Sequence, residues 1–553
     1  MLSLKSVRSW LLSTLLVAGS AQAVEVKFLV NAPLDSPKGR MAKVMEGVIE
    51  RELPDYQVTL LDKLDSADNA NRSLAALQSG QVQFLLPDSS TLQTLNPEFT
   101  VFSIPFMFRD GASLDQFSNS SDGKKLLTSL TSKSILGLGY MYGGLKQLLS
   151  ETPIQDYSDL SKLTFPYSPD YPSLRTELPV KTAPIADGDI ITALKAGKIN
   201  AQEATYEDIY NNQFNLLYHN ILESNHAVQT YVLAVNTGFW NGLPTSDHDV
   251  FMRAVEVALK FGNQLVAAGE TNSREQIRLE GGAQRDKLTE QQRINWVKNL
   301  QPLWNSQASL IGQNLFDAAF DYSHKLHFYT ENFPPYNFED NGQLKGIAVD
   351  FLRALYKETK YNEMGLDIQL KTWSYGYQAA QNGPNIVLFS TTRTPSREHL
   401  FKWAGPITAS QTVVFKLKKK NIQVSTVTDL NNYRVGVIRD DVGQVLARDQ
   451  GVKPENFKVY SNADKLLEDL NSGYVDVWIY NLAVGRWFIK KLGYNNDDFE
   501  QIYQLNEGYH YFAFSPDVDD RVVANIQAAI DKVKNTRDSN GLSEFDKIVK
   551  QYQ

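Results

Sequence analysis

Hydrophobic and polar positions alternate along this chain in a way that predicts two successive α/β series. Val24 to Asn31 alternates and then runs apolar, as a strand entering a sheet does, and Gly39 to Arg51 follows with a helical pattern. Val58 to Leu61 reads as the next strand. Asn71 to Leu77 is helical, Ser79-Gly80 stops it, and Val82 to Leu86 is a buried strand. This β-α-β-α-β order predicts a parallel sheet with right-handed crossovers, which places a ligand at the C-terminal ends of the strands. From Asp247 to Ala319 the pattern is almost wholly helical, with Val250, Ala254, Val257, Ala258 and Phe261 at three-and-four spacing. After a short polar junction, Asp321 to Lys325, a new cycle begins at Leu326 to Thr330. So short a linker implies fused modules rather than freely tethered ones.

Within the second series, the apolar run Ile386 to Phe389 predicts a short buried strand that ends at Ser390 to Thr392. Thr394 then suits an N-cap, Pro395 the first helical position, and Arg397 the first turn, beside backbone N–H groups that lack intrahelical partners. Free donors, a positive helix end and a guanidinium fork together make a receptor for a carboxylate. The plainer alternative is an arginine in a surface ion pair.

Lys5 and Arg8, the apolar run Trp10 to Val17 and Ala21-Gln22-Ala23 predict a secretory leader cleaved after Ala23, and the run is too short for a membrane anchor. Export to the periplasm is the expected destination. The remaining chain is long enough for roughly three or four core-sized units of ~150 residues. The net charge of −8 becomes more negative once the two basic leader residues are lost, which argues against nucleic acid or anionic membrane as partners. The absence of cysteine excludes disulfides, thiolate metal sites and cysteine nucleophiles. The seven histidines show no metal spacing, since His324 and His327 would lie on opposite faces of a strand. No cofactor or metal is expected.

The segment Asn96-Pro97-Glu98-Phe99-Thr100-Val101-Phe102-Ser103-Ile104-Pro105-Phe106-Met107-Phe108-Arg109-Asp110 resembles the DctP-type solute-binding subunits of TRAP transporters. So do Ala76-Leu77-Gln78-Ser79-Gly80, Ala193-Leu194-Lys195-Ala196-Gly197 with Gln202-Glu203, and Val235-Asn236-Thr237-Gly238-Phe239-Trp240. The resemblance covers about 24–322 and implies that the helical region braces two lobes. It also implies ligand contacts at Lys146, Thr164, Gln202 and Glu203, with departures. Thr164 and Lys146 stand where the family usually has arginines, and Ala204 where it has asparagine. A dicarboxylate without paired guanidiniums would meet a desolvation cost of several kcal/mol, so this module is expected either to bind something less anionic or to serve as a scaffold.

In the second series, Tyr329-Thr330-Glu331-Asn332-Phe333-Pro334-Pro335-Tyr336-Asn337-Phe338 resembles the opening of the family 3 extracellular solute-binding proteins, the polar amino-acid receptors of ABC importers. The likeness continues through Gly346-Ile347-Ala348-Val349-Asp350-Phe351, Trp403-Ala404-Gly405-Pro406 and Leu470-Asn471-Ser472-Gly473-Tyr474-Val475-Asp476. It covers about 325–553 and implies lobes of about 325–414 plus 513–553 and of 420–510, with hinge crossings near Val414 to Lys420 and Tyr509 to Phe514. The whole chain is thus expected to be two tandem bilobed periplasmic-binding-protein modules of the type 2, Venus-flytrap class. The resemblance assigns Arg397 to a ligand carboxylate, helped by Ser390 and Thr392, sets Tyr336 and Trp373 against the ligand's body, and offers Glu331 to an ammonium group. Where the family commonly reads Gly-Ser-Thr, this chain has Asp440-Asp441-Val442, and Asn481 replaces the family's acid for the amino group. A ligand with one carboxylate, and a cationic group placed differently from that of a standard amino acid, is the resulting expectation.

Two readouts fit such a receptor: delivery to a TRAP or ABC importer, or presentation to a chemoreceptor or sensor kinase. The competing class is a dehydratase-like enzyme on the same fold, for which Glu331, Asp441 and His399 are the candidate acids and bases. The chain shows no Ser/His/Asp order, glycine-rich phosphate loop or metal set to favour it.

Overall fold

The computed structural model of the protein describes residues 23–65, 69–167, 176–185 and 189–552. The leader therefore lies outside the described residues. None of the described helices is long and apolar enough to cross a membrane. The chain folds into two compact units, one running to Lys287 and including Pro302–Phe316, the other comprising Leu288–Gln301 and Asp317–Gln553.

The first unit is built on a seven-stranded mixed sheet. Val24–Leu29 pairs in parallel with Tyr56–Leu61 on one side and Phe84–Leu85 on the other, as the alternating β and α segments require. The long strands Ile135–Ser150 and Asn220–Asn236 then run antiparallel beside them, with register shifts near Gly137, Tyr142 and Lys146. Helix Pro37–Glu52 starts on a Ser36 cap with proline in its first turn and buries Met41, Ala42, Met45, Val48 and Ile49. The almost wholly helical region expected over 247–319 is a series of helices broken by one short strand. Thr245–Glu280 is one helix, and Gly281 and Gly282, at φ 76° and 98°, turn the chain into a strand, Gln284–Lys287, that pairs with Asn220–Glu223. The helices beyond are divided between the units. Trp304 donates to the Pro105 carbonyl at 3.0 Å in the first, whereas Asp317 and Phe320 face Arg521 in the second.

The second unit carries a nine-stranded sheet in which Phe499–Phe514 is the connecting strand. Its C-terminal end pairs with Ile386–Thr392 and Lys402–Ala404, and the rest pairs with Ala409–Leu417. Val413 to Lys416, near the expected first crossing, lie inside the sheet, hydrogen-bonded between Phe499–Phe514 and Val477–Asn481. Ile407 N–H donates to the His510 carbonyl and His510 N–H to the Thr408 carbonyl, at 2.6 and 2.8 Å.

Gly346 caps the helix Ile347–Lys357 at φ 125°, and a Cβ on it would lie 2.4 Å from the Tyr336 carbonyl oxygen. Gly346→Ala is expected to cost about 1–3 kcal/mol through backbone strain and to loosen Tyr336. Hydrogen exchange of the amides of 336–348 in the full chain reads both effects, and parent-like protection would refute the steric account.

Candidate functional site

The strand Ile386–Thr392 is buried at every residue. It ends at Thr392, within the expected Ser390 to Thr392, with Ser390 at φ 60° and a register shift beside it. The residues after it differ from the sequence expectation. Pro395–Arg397 is a single 3-10 turn and Thr394 makes no side-chain cap, so there is no helix N-terminus here to attract an anion. Arg397 is instead held by its own contacts. It is 1% exposed and lies over the rings of Trp373 and Tyr377 at 5.4 and 4.9 Å. Nη1 donates to the Thr392 carbonyl at 3.2 Å, and Nη2 to the Asp440 carbonyl in the other lobe at 2.8 Å. The surface ion pair weighed for this stretch belongs to Arg393, whose Nε donates to Glu398 at 2.8 Å.

The other predicted residues of this module gather around the same cleft. Tyr336 is stacked with Phe333 at 5.7 Å and sits edge-on to His510 at 4.7 Å. Burial pushes the His510 pKa down to about 3, so its ring is neutral. Ser390 Oγ donates to Asn337 Oδ1 at 2.5 Å, and Asn337 Nδ2 donates to the Glu331 carbonyl at 2.7 Å. Asp441 is the N-cap residue of helix Val442–Asp449, and Val442, the first residue of that helix, is buried. The Asp441 carboxylate is raised in pKa by burial, while Arg397 and the N–H groups of Val442 and Gly443 pull it back down. Its geometry falls short of a capping hydrogen bond. Glu331 is pushed well above the usual carboxylate range by burial and by Asp441. Asn481 caps the helix Leu482–Lys491, accepting from Val484 N–H and donating to Ser410 Oγ, both at 3.2 Å. His399 is exposed and stands outside this set. Asn337, Phe333, Tyr377 and Tyr480 were not singled out in the sequence, because each reads as core or turn until the strands meet.

In the first module Lys146 and Glu203 come together at 2.6 Å, from adjacent antiparallel strands. His226 Nε2 lies 3.0 Å from the other Glu203 oxygen, and Thr176 donates to that oxygen at 2.9 Å. A carboxylate can only accept, so Nε2 carries the proton and Nδ1 accepts from Ser224 at 2.8 Å. Burial alone would raise the Glu203 pKa, but Lys146 and His226 outweigh it and hold it at about 2. Gln202 neighbours Glu203 on the strand and so points to the opposite face; its Nε2 is buried without a hydrogen-bond partner. Thr164 receives its backbone partners from Asn200. Two further charged groups were missed, Asp88 in this cleft and Lys38 within electrostatic reach of it. Asp88 accepts from Ser90 N–H at 2.8 Å and from Gln229. Lys38 stands over the Tyr231 ring at 4.4 Å, its pKa lowered by burial against the pull of Asp88. The Ser36-Pro37-Lys38 helix start after the first strand was the available signal for Lys38. The cavity bounded by Asp88, Lys146, Glu203 and Gln229 measures about 10 Å³, room for one water.

Residues 30–310 match the bacterial extracellular solute-binding proteins of family 7, DctP. The chain belongs to this family. Residues 327–544 match the bacterial extracellular solute-binding proteins of family 3, so the chain is a tandem fusion of a family 7 and a family 3 module. It is similar to the C4-dicarboxylate-binding periplasmic protein DctP of Shewanella loihica, at 30% identity over 54% of this chain and 90% of the relative. The protein of the same description from Vibrio cholerae is 26% identical over 51% of this chain and 86% of the relative. A solved TRAP periplasmic solute-binding protein from Shewanella oneidensis with bound succinate aligns with a TM-score of 0.50 and 28% identity, over 54% of this chain and 99% of that one. The fusion is a solute-binding receptor of the transport type, and its family 7 module is the part these relatives cover.

Proposed function

We propose that the fusion works in the periplasm without catalysis, that its family 3 module closes its two lobes on a small organic ligand, and that the closed form is read by membrane subunits of an importer. The observation that supports this reading is the bond from Arg397 to the Asp440 carbonyl. It joins the lobes beside Glu331, Tyr336 and Trp373 on one side and Asp441, Val442 and Asn481 on the other. Closure of this kind is driven by contacts that exist only when both lobes meet. In the family 7 module, Lys146 is already neutralised by Glu203. A dicarboxylate there would join Asp88 and Glu203 in a cleft with two lysines, so we assign this module to a less anionic ligand than those of its named relatives.

The test is thermal unfolding of the full chain with amino acids, amines, keto acids, sugar acids and succinate. A ligand at ~100 times its dissociation constant adds nearly 3 kcal/mol of stability. At least one compound is expected to protect the amides of 386–392 and to be recovered unchanged. Turnover of the bound compound, or no protection by any of the panel, would overturn the reading. Protection of the family 7 module by succinate would overturn the assignment of that module.

A further inference from the structure

The family 3 cleft gives several of its donors to its own carbonyls and side chains, while Arg397 Nε and Trp373 Nε1 stay buried without hydrogen-bond partners, and of its two acids only Asp441 has a cation, Arg397, nearby. Both Nη groups of Arg397 are engaged by the Thr392 and Asp440 carbonyls. The Ser390 hydroxyl is given to Asn337, and the Asn481 amide to Ser410. These are the groups from which a ligand carboxylate would draw hydrogen bonds. The position that most favours an anion, beside the Arg397 guanidinium and the first N–H groups of helix Val442–Asp449, is occupied by the Asp441 side chain, which is 6% exposed. Glu331, from the opposite lobe, has no ion-pair partner among the described residues. Thr330 Oγ1 and Asn332 Oδ1, on either side of it in the chain, are buried without hydrogen-bond partners. Aromatic rings complete the surroundings: Tyr480 stands within electrostatic reach of both acids, and Phe333 meets its ring edge-on at 5.8 Å.

We propose that Asp441 stands in for a ligand carboxylate, so that the family 3 module selects an organic cation lacking an α-carboxylate, a primary amine or guanidinium seated between Glu331, Asp441 and the aromatic wall. Arg397 offsets one of the two acids, which leaves one negative charge for the ligand to balance. Aromatic faces add attraction for a desolvated cation. A ligand carboxylate placed here would have to displace the Asp440 carbonyl from Arg397 and lie against Asp441, where like charges repel. The inference rests on the receptor reading of this module.

Three pairs of compounds that differ by one carboxylate separate the two ideas: agmatine and arginine, cadaverine and lysine, putrescine and ornithine. In the full chain, an amine of at least one pair is expected to protect the amides of 386–392 from exchange at a tenfold or greater lower concentration than its amino acid. Glu331→Gln should weaken that amine at least tenfold, and Asp441→Asn should narrow or invert the preference within the pair. If an amino acid or another carboxylate binds the parent better than the amines, the cation inference falls while the receptor reading stands. If amines win but Asp441→Asn leaves their preference unchanged, the stand-in role of Asp441 falls. No protection by these six or by the wider panel overturns both. Asp441→Asn keeps the size of the side chain, and Glu331→Gln tests the cation site independently of Asp441.

Discussion

Arg397→Ala is expected to destabilise the family 3 module by about 2–5 kcal/mol, the usual range for truncating a large buried side chain, and to abolish ligand-induced protection. Three losses combine in it. Asp441 is left buried without the guanidinium that lowers its pKa. The Asp440 and Thr392 carbonyls lose their donor. The stacked rings of Trp373 and Tyr377 lose the guanidinium that covers them. Arg397→Lys restores the charge but not the fork that reaches two carbonyls in different lobes, so it should recover only part of the stability. Hydrogen exchange of the amides of 386–392 and 435–443 in the full chain reports both lobes. If Arg397→Ala leaves both at parent protection, Arg397 is neither the neutraliser of Asp441 nor the clasp between lobes.

The importance of Arg397 was legible in the sequence, but the reason for it was not. Pro395 after Thr394 reads as a helix start, yet the chain makes one 3-10 turn and continues into Lys402–Ala404. What buries the guanidinium is a pair of rings about twenty residues upstream and a carbonyl more than forty residues downstream, and no local pattern carries such contacts. Strands such as Val24–Leu29, Tyr56–Leu61 and Ile386–Thr392 were legible because apolar periodicity is local, whereas the long strands Ile135–Ser150, Asn220–Asn236 and Phe499–Phe514, which join each mixed sheet, were not. The pairing of Val413 to Lys416 was illegible for the opposite reason. Val414 to Lys420 ends in a run of lysines that looks like a surface crossing, but its first residues are fixed by pairing with Val477–Asn481, far along the chain. Lys146 and Glu203 were each marked as ligand contacts. Their pairing with one another could be seen only once the strands Ile135–Ser150 and Ala201–Thr205 were aligned.

That pairing gives the second large effect. Glu203→Gln is expected to destabilise the family 7 module by about 3 kcal/mol at neutral pH, because Lys146 then stays buried without its carboxylate. The acid dependence has a definite sign. The Glu203 pKa is about 2 in the folded protein against an ordinary 4.5, so the unfolded chain binds the proton first. The stabilisation is complete above pH 4.5 and is lost as pH falls from there toward 2, and the difference between parent and Glu203→Gln should shrink over that window. Glu331 has the reverse sign. Its folded pKa lies well above 4.5 through burial and Asp441, so it favours the folded state most below 4.5, and that contribution fades as pH rises through the folded value. Glu331→Gln should therefore stabilise the ligand-free family 3 module at neutral pH and become neutral in acid. Hydrogen exchange from pH 7 to pH 3, corrected for intrinsic rates and read separately for peptides of each module, checks the two together. Parallel acid responses of the Glu203→Gln and Glu331→Gln differences would refute the opposite signs, and with them the contrast between a cleft that supplies its own counter-ion and one whose acid waits for a cation.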